Sequence, residues 1–250
     1  MKLVILGATG GTGRQLVEQA LAQGHTVTVF VRNPAKVRRS HHNLRMAQGN
    51  ILDENAVEKA IEGQEAVLSA LGVRPPVILF VVITLVAELV VQFVRIPSPA
   101  SVFIAWGIPI LALLVLFRRN TTLSTGTRNV ISAMQRNDVR RLVCESSLGI
   151  GDTRWRLGFV YNLFVIPLFL RNVFADKEIQ ERIIRESGLD WVIVRPTALT
   201  NGSHTGQYRI GYDIGHWFFP SKISRADVAD FMLKQVVSHE YLLKSPSIAN

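Results

Sequence analysis

The sequence predicts an α/β fold, in which a mainly parallel sheet is covered by helices on both faces. Short β-rich runs alternate with amphipathic stretches along most of the chain, and glycines punctuate the loop between the first run and the first amphipathic stretch. Strands that are each followed by a helix return in parallel and place helices on the two faces of the sheet. The 250 residues suffice for one large domain or for a smaller domain with an insertion.

Residues 2–34 predict a βαβ unit with a phosphate-binding loop. Gly7, Gly10 and Gly13 come just after the first strand, where a tight turn must bring the backbone close to a pyrophosphate at the start of a helix. The hydroxyls of Thr9 and Thr12 are expected near phosphate oxygens, with ordinary hydrogen bonding inside the loop as the alternative. The cofactor-binding residues predicted here are Gly7, Thr9, Gly10, Gly11, Thr12 and Gly13.

The end of the second strand predicts which dinucleotide binds. An NAD site usually has a carboxylate there for the ribose 2′-hydroxyl, whereas this chain has Arg32 and Lys36. Cations at this point attract a 2′-phosphate, so NADP(H) is expected in preference to NAD(H). The alternative is that both are solvated surface cations.

The rest of the chain continues the alternation of strand and helix. Strands are predicted within 44–53, 65–72, 140–147 and 189–202, and helices within 54–63, 123–139 and 177–188. Cys144 lies in the apolar run of the fifth strand and is expected to be an inert core residue.

Five segments in order, "GATGGTG", "VRNPAK", "GNILD", "RESGLDWVIVRPTALTNG" and "SRADVADFML", give the chain a family resemblance. It resembles the atypical short-chain dehydrogenase/reductase superfamily, with most likeness to NAD(P)H-binding proteins of the biliverdin reductase B (flavin reductase) and NmrA-like type. The resemblance covers Lys2 to Gly72 and Asn120 to Ala249. It implies a doubly wound Rossmann fold, NADP(H) binding and often hydride transfer to flavins, quinones or related acceptors, although some members bind the nucleotide without known catalysis.

The resemblance also implies that the ends of the later strands contribute to the cofactor site. Lys177 falls where the family places a residue near the nicotinamide ribose, and Pro196 and Thr197 fall where members touch the carboxamide. The further cofactor-binding residues expected are Asn50, Ile51, Ala70, Leu71, Gly72, Ser146, Lys177, Pro196 and Thr197.

The proton donor of many short-chain dehydrogenases, a Tyr-x-x-x-Lys pair, is missing. None of the four tyrosines has a lysine four positions later, and Phe174 stands where related sequences often have a tyrosine. The catalytic candidates are therefore Ser146, Ser147 and Lys177, whose alternatives are loop hydrogen bonding for the serines and a surface salt bridge for the lysine.

Two apolar runs, Val77–Val94 and Ser101–Phe117, interrupt the predicted fold between the fourth strand and the next helix. Each would reach roughly 26 Å as a helix, a little short of a hydrocarbon core of about 30 Å. We expect a transmembrane or monotopic helical hairpin over 75–118 that anchors a Rossmann domain made of 1–74 and 119–250. The alternative is a buried hairpin used for dimerisation in a water-soluble protein.

Charges around the hairpin predict its orientation. Arg74 and Arg118-Arg119 flank it on the domain side, against Arg95 alone at the tip, which favours a domain on the cytoplasmic side of a membrane. Glu88 and Gln92 share one helix face and would face the second helix, a partner protein or a substrate. A third apolar segment, 158–174, is interrupted by Pro167 and predicts a kinked lid or an interfacial helix.

Composition and residue spacing argue against two function classes, and three predictions of function remain. Lys plus Arg number 28 against 19 Asp plus Glu, but the arginine pairs are scattered and no nucleic-acid binding is expected. The histidines show no metal-ligand spacing, so no metal is expected. The first prediction is a membrane-anchored NADPH-dependent oxidoreductase for a lipophilic acceptor such as a quinone, flavin or isoprenoid-like molecule. The second is a non-catalytic NADP(H)-binding assembly or regulatory subunit of a membrane protein complex, and the third is a soluble reductase.

Overall fold

The protein is built on an eight-stranded sheet, whose strands follow one another across the sheet in the order β3 (Leu44–Gln48), β2 (Thr26–Val31), β1 (Lys2–Leu6), β4 (Ala66–Ser69), β5 (Arg141–Glu145), β6 (Asp190–Pro196), β10 (Ser247–Ala249) and β8 (Arg209–Gly211). The computed structural model describes residues 1–37, 39–73, 121–215 and 221–250. All neighbouring strands of this sheet pair in parallel except β10 and β8, which are antiparallel.

Strand alternation divides the core into two layers, one on each face of the sheet. Leu3 and Ile5 pack on one face with α1 and α5, whereas Val4 and Leu6 pack on the other with α2 and α3. The helices are α1 (Gly11–Ala22), α2 (Glu54–Ile61), α3 (Thr122–Arg136), α4 (Arg171–Arg185) and α5 (Arg225–Val237). A separate parallel pair joins β7 (Ala198–Thr200) to β9 (Lys222–Ser224).

The starts of α2, α3 and α5 are stabilised by polar side chains. Asp53 caps α2 and Ser224 caps α5, each through its own side chain. The start of α3 is capped from a distance, because the N–H groups of Leu123 and Ser124 donate to Asp176 at 2.9 and 3.2 Å. Asp176 thereby ties α3 to α4 beside the carboxyl end of β5.

The segment after β5 turns twice before α4 begins. Residues Gly151–Leu157 form a tight helical turn, and Tyr161–Leu170 form a π-helix that continues directly into α4. Pro167 lies inside the π-helix and has no N–H group to donate. The predicted helical segment interrupted by Pro167 is therefore present, and its turns around Pro167 are those of a π-helix.

The predicted α/β architecture with a mainly parallel sheet is confirmed for the described residues. The predicted hairpin at 75–118, with Glu88 and Gln92, lies outside them, so the proposed division into domains stays a prediction. Within the described ranges, no helix is both long enough and apolar enough to cross a membrane.

Candidate cofactor site

The glycine loop is held by close backbone contacts that leave no room for side chains. Gly7 has a φ of 78°, and a Cβ added there would collide with the carbonyl group of Ala70. A Cβ added at Gly13 would collide with the carbonyl group of Gly7. The loop is also closed by the N–H of Gly10, which donates to Gly7 O at 2.9 Å. Ala70, at the end of β4, therefore forms the floor of the loop.

Helix α1 begins without a side-chain cap. Gly10 provides no capping hydrogen bond, and the first turn contains no acidic residue. The first N–H groups of a helix lack acceptors within the helix, and their positive end attracts an anion. The start of α1 is thus suited to a phosphate.

Thr12 faces the protein interior. Its hydroxyl donates to Glu145 Oε1 at 2.9 Å, and the residue is 5% exposed. In this structure the hydroxyl donates within the protein, and the expected position of Thr12 near phosphate oxygens stays a prediction. Thr9 remains partly exposed in the loop.

The ends of β2 and β3 present two cations and a stabilised turn. Arg32 and Lys36 are exposed, and neither forms an ion pair within the described parts of the chain.

Asn50 accepts from the N–H of Leu52 at 3.1 Å, and the carbonyl of buried Ile51 accepts from Asn129 at 3.0 Å. At the end of β4, Leu71 is partly buried and Gly72 exposed, and a Cβ added at Gly72 would meet open space.

Glu145, the last residue of β5, is a buried carboxyl that sequence reasoning missed. It is 8% exposed and points to the α1 side of the sheet, as Val143 does. Burial raises the pKa of Glu145, although the charge of Lys177, the hydrogen bond from Thr12 and the charge of Arg225 act in the opposite direction. A carboxylate in the otherwise apolar run before Ser146 was the available signal.

Ser146 belongs to a buried network on the opposite face. Its hydroxyl donates to Glu181 Oε1 at 2.5 Å, and Arg195 donates to both oxygens of Glu181 at 3.1 and 2.7 Å. Burial acts to raise the pKa of Glu181, but hydrogen bonds from Arg195 and Ser146 and the charges of Arg195 and Arg185 hold it below its ordinary value. The Ser146 hydroxyl thus donates to Glu181 in this structure, and its catalytic role stays a prediction.

Ser147 and Lys177 occupy different environments. The Ser147 hydroxyl donates to Leu148 O at 3.0 Å, as the loop alternative predicted. Lys177 is 9% exposed and its Nζ donates to Glu145 O at 3.4 Å, so the alternative of a surface salt bridge is wrong. The ammonium group lies at the carboxyl end of β5, beside the strand that carries Glu145 and Ser146.

The end of β6 contains a buried polar atom without a protein partner. Thr197 is 4% exposed, and its Oγ1 has no hydrogen-bond partner among the described residues. A buried hydroxyl loses free energy unless it is paired, so this atom fits a polar group of a ligand. Pro196 precedes it as the last residue of β6. Together with the loop that excludes any Cβ at Gly7 and Gly13, this orphaned hydroxyl fits a dinucleotide.

Tyr208 forms a hydrogen bond with Lys234, but its surroundings do not favour proton donation. Lys234 Nζ donates to Tyr208 Oη at 3.2 Å, and Tyr208 donates to Asp230 at 2.7 Å. Burial and the hydrogen bond to Asp230 raise the pKa of Tyr208 to about 12, which is opposite to the change that a catalytic tyrosine needs.

Cys144 is buried as predicted, and burial raises the pKa of its thiol to about 12.

A cleft of about 670 Å³ lies next to the Glu181 network. Four cations and four carboxylates line it, so its charge favours no particular ligand. Within the described residues, no group of three or more His, Cys, Asp or Glu side chains could hold a metal ion.

The sequence matches a protein family described as NAD(P)H-binding, over residues 7–96 and 100–239. This chain belongs to that family. The match includes the glycine loop and the ends of β4, β5 and β6, which are elements of the site described above. Membership of this family shows that the chain has an NAD(P)H-binding domain, and it does not show whether NADP(H) or NAD(H) is preferred.

Curated relatives are distant or partial. An uncharacterized chloroplastic protein of Arabidopsis thaliana is 24% identical over 97% of this chain and 74% of its own length. The photosystem II assembly factor Ycf39 of Synechocystis is 36% identical, but over only 30% of this chain and 23% of that factor.

Solved structures share the fold. The anaerobillin reductase ChuY of Escherichia coli O157:H7 has a TM-score of 0.70 at 18% identity, covering 100% of this chain and 97% of its own. A short-chain dehydrogenase/reductase of Veillonella parvula in complex with NADP has a TM-score of 0.67 at 15% identity, covering 100% and 94%. The oxidoreductase ylbE of Lactococcus lactis has a TM-score of 0.70 at 18% identity, covering 100% and 91%. At these identities the likeness shows the Rossmann fold.

Proposed function

We propose that the protein is a membrane-associated NADPH-dependent oxidoreductase that reduces a lipophilic or conjugated acceptor of the quinone, flavin or isoprenoid type. The observation that carries this proposal is an exposed apolar surface on the segment that connects β5, at the cofactor site, to α4. Trp155, Phe159 and Leu163 are 74%, 54% and 52% exposed, and they follow β5, whose end forms part of that site. Exposed apolar surface of this kind is typical of a place where a lipid or an apolar ligand binds.

The charges around this surface fit a membrane. Arg154 and Arg171 are exposed within the same segment, so cations accompany the apolar side chains. Such a segment lies in the plane of an anionic lipid surface, with its aromatic groups at head-group depth. The apolar runs Val77–Val94 and Ser101–Phe117 would add a hairpin anchor, with the Rossmann domain on the cytoplasmic side.

The preference for NADP(H) rests on Arg32 and Lys36. Both are exposed just beyond β2, and in the described residues no carboxylate neutralises either of them. A 2′-phosphate would pair with these cations, and NAD(H) lacks that group.

The residues of the site would mainly position the reactants. NADPH, when bound, supplies a hydride. The glycine loop and the start of α1 would hold the phosphates, and the Thr197 hydroxyl would bind a polar group near the end of β6. A conjugated acceptor depends on orientation more than on a strong acid, so the absence of a proton-donating tyrosine is compatible with this reaction.

The test is the loss of nicotinamide absorbance with time for the protein in nanodiscs, with NADPH and a panel of quinones and flavins. We expect protein-dependent oxidation of NADPH with at least one lipid-soluble acceptor, and a slower reaction for Thr197→Val. Binding of NADPH without oxidation by any acceptor would contradict the proposal.

A non-catalytic assembly subunit is the second candidate. Phe174 replaces the tyrosine of related sequences, and part of the chain is similar to a photosystem II assembly factor. The exposed Trp155 and Phe159 would then contact a protein of a membrane complex. Purification in a mild detergent separates the candidates, because a stoichiometric membrane protein partner favours the assembly role and an active lone protein favours the reductase.

A further inference from the structure

Arg225, the first residue of α5, lies against the start of α1. A Cβ built on Gly11 would come within 2.5 Å of Arg225 Nε, so the guanidinium occupies the space that a side chain at Gly11 would need. Gly11 is itself the first residue of α1. The absence of a side chain at Gly11 therefore lets a cation from the carboxyl-terminal part of the chain reach the helix start.

The charge of Arg225 is not neutralised by an ion pair within the described residues. Its Nη1 donates to Asn201 Oδ1, a neutral acceptor, at 2.7 Å. Glu145 is near enough for Arg225 to lower its pKa but forms no ion pair with it, and it already accepts from Thr12. A cation beside the positive end of a helix is unfavourable unless an anion binds between them.

We propose that Arg225 binds the diphosphate of the dinucleotide together with the start of α1. A diphosphate matches both features, because its oxygens accept from helix N–H groups and from the planar guanidinium. NADPH and NADH share this group, so Arg225 contributes to the binding of both. This inference goes beyond the proposed reaction, because it holds whether or not an acceptor is reduced.

The first test compares two arginines by titration of the full chain with NADPH and with NADH. R225Q should weaken the binding of both dinucleotides by a similar factor, roughly 10- to 100-fold, as expected for a lost hydrogen bond to a charged group. R32Q should weaken the binding of NADPH alone. Lys222, exposed in β9 three positions before Arg225, gives the matched control, and K222Q should leave both dissociation constants unchanged.

The second test separates diphosphate binding from a structural role. Adenosine 2′-monophosphate lacks the diphosphate, so R225Q should leave its affinity unchanged while R32Q lowers it. If R225Q also weakens this fragment, Arg225 acts by shaping the site and the proposal is overturned. Unchanged dinucleotide affinity in R225Q, or a loss for NADPH alone, would overturn it as well.

A conservative variant keeps the test decisive if R225Q does not fold. R225K keeps the charge but loses the planar fork, so it should bind both dinucleotides several-fold more weakly than the native chain with an unchanged melting temperature. Native affinity in R225K would contradict binding through the guanidinium.

Discussion

The two faces of the sheet at the end of β5 each bury a carboxyl group, and the two groups behave in opposite ways. On the α4 face, Arg195 and Arg185 form ion pairs with Glu181 at 2.7 and 2.6 Å, and its pKa is lowered despite burial. On the α1 face, Glu145 has Thr12 as its hydrogen-bond donor, and burial raises its pKa. A buried carboxylate that is fully paired fixes the structure around it, whereas one that is only partly paired can respond to a ligand.

Removing the charge of Glu181, the fully paired carboxyl, should have the largest effect on stability. Glu181→Gln removes the buried charged partner of Arg195 and leaves it only the exposed Asp152, at 2.8 Å, among the described residues. We expect the free energy of unfolding to fall by about 3–5 kcal/mol. Urea denaturation measures the change, with exposed Glu178→Gln as the control. A loss close to that of the control would contradict the structural role of this network.

Crowding the glycine loop should have the next effect. Gly13→Ala places a Cβ against the Gly7 carbonyl, which should destabilise the fold by about 1–3 kcal/mol and weaken NADPH binding. Gly72→Ala is the matched control for stability, because a Cβ there meets open space. Equal thermal stability of the two variants would show that the loop contact is not tight.

The partly paired carboxyl of Glu145 predicts that the free energy of unfolding depends on pH, with a smaller effect than the two changes above. Because the pKa of Glu145 is raised in the folded state, its contribution to stability is present below its ordinary pKa of 4.5 and is lost as pH rises through the folded value. Glu145→Gln, which still accepts from Thr12, should therefore lose less stability than the native chain as pH rises from this range. Urea titrations of both proteins at pH 5 and pH 8 measure this difference, and identical pH dependence would contradict it.

The exposed apolar surface should matter least for stability. Trp155→Ser should change the free energy of unfolding by less than about 0.5 kcal/mol, since the side chain is 74% exposed. It should nevertheless remove a component of the tryptophan fluorescence that brominated lipids quench in nanodiscs. Unchanged quenching would argue against contact of this surface with lipid.

The sequence predicts what is local and misses what is paired over a distance. Gly13 indicates the loop because the carbonyl group of Gly7, a few residues earlier, excludes any side chain there, whereas the group that crowds Gly7 belongs to the distant Ala70. The partner of Ser146 is Glu181, 35 residues later, and Thr12 and Glu145 are 133 residues apart. Hydrogen-bond partners at such separations depend on how α1 and α4 pack on the sheet, which no local pattern states.

Partners that are distant in sequence also explain why the surroundings of some predicted site residues differ from those expected. The sequence predicts Ser146 and Lys177 as site residues from their positions after β5 and from the family resemblance, and their roles toward the cofactor stay predictions. Their polar atoms face Glu181 and the Glu145 carbonyl, so their surroundings differ from those expected. Arg225 was part of the segment "SRADVADFML" that supported the resemblance, but its contact with Gly11 depends on the packing of α5 against α1.

The most direct test of this account is a calorimetric titration of the full chain with NADPH and with NADH. We predict one site per chain and an affinity for NADPH that is at least about tenfold higher than the affinity for NADH, because only NADPH carries the 2′-phosphate that Arg32 and Lys36 would bind. Equal affinities would contradict the assigned role of these cations, and the absence of binding by either dinucleotide would contradict the site itself.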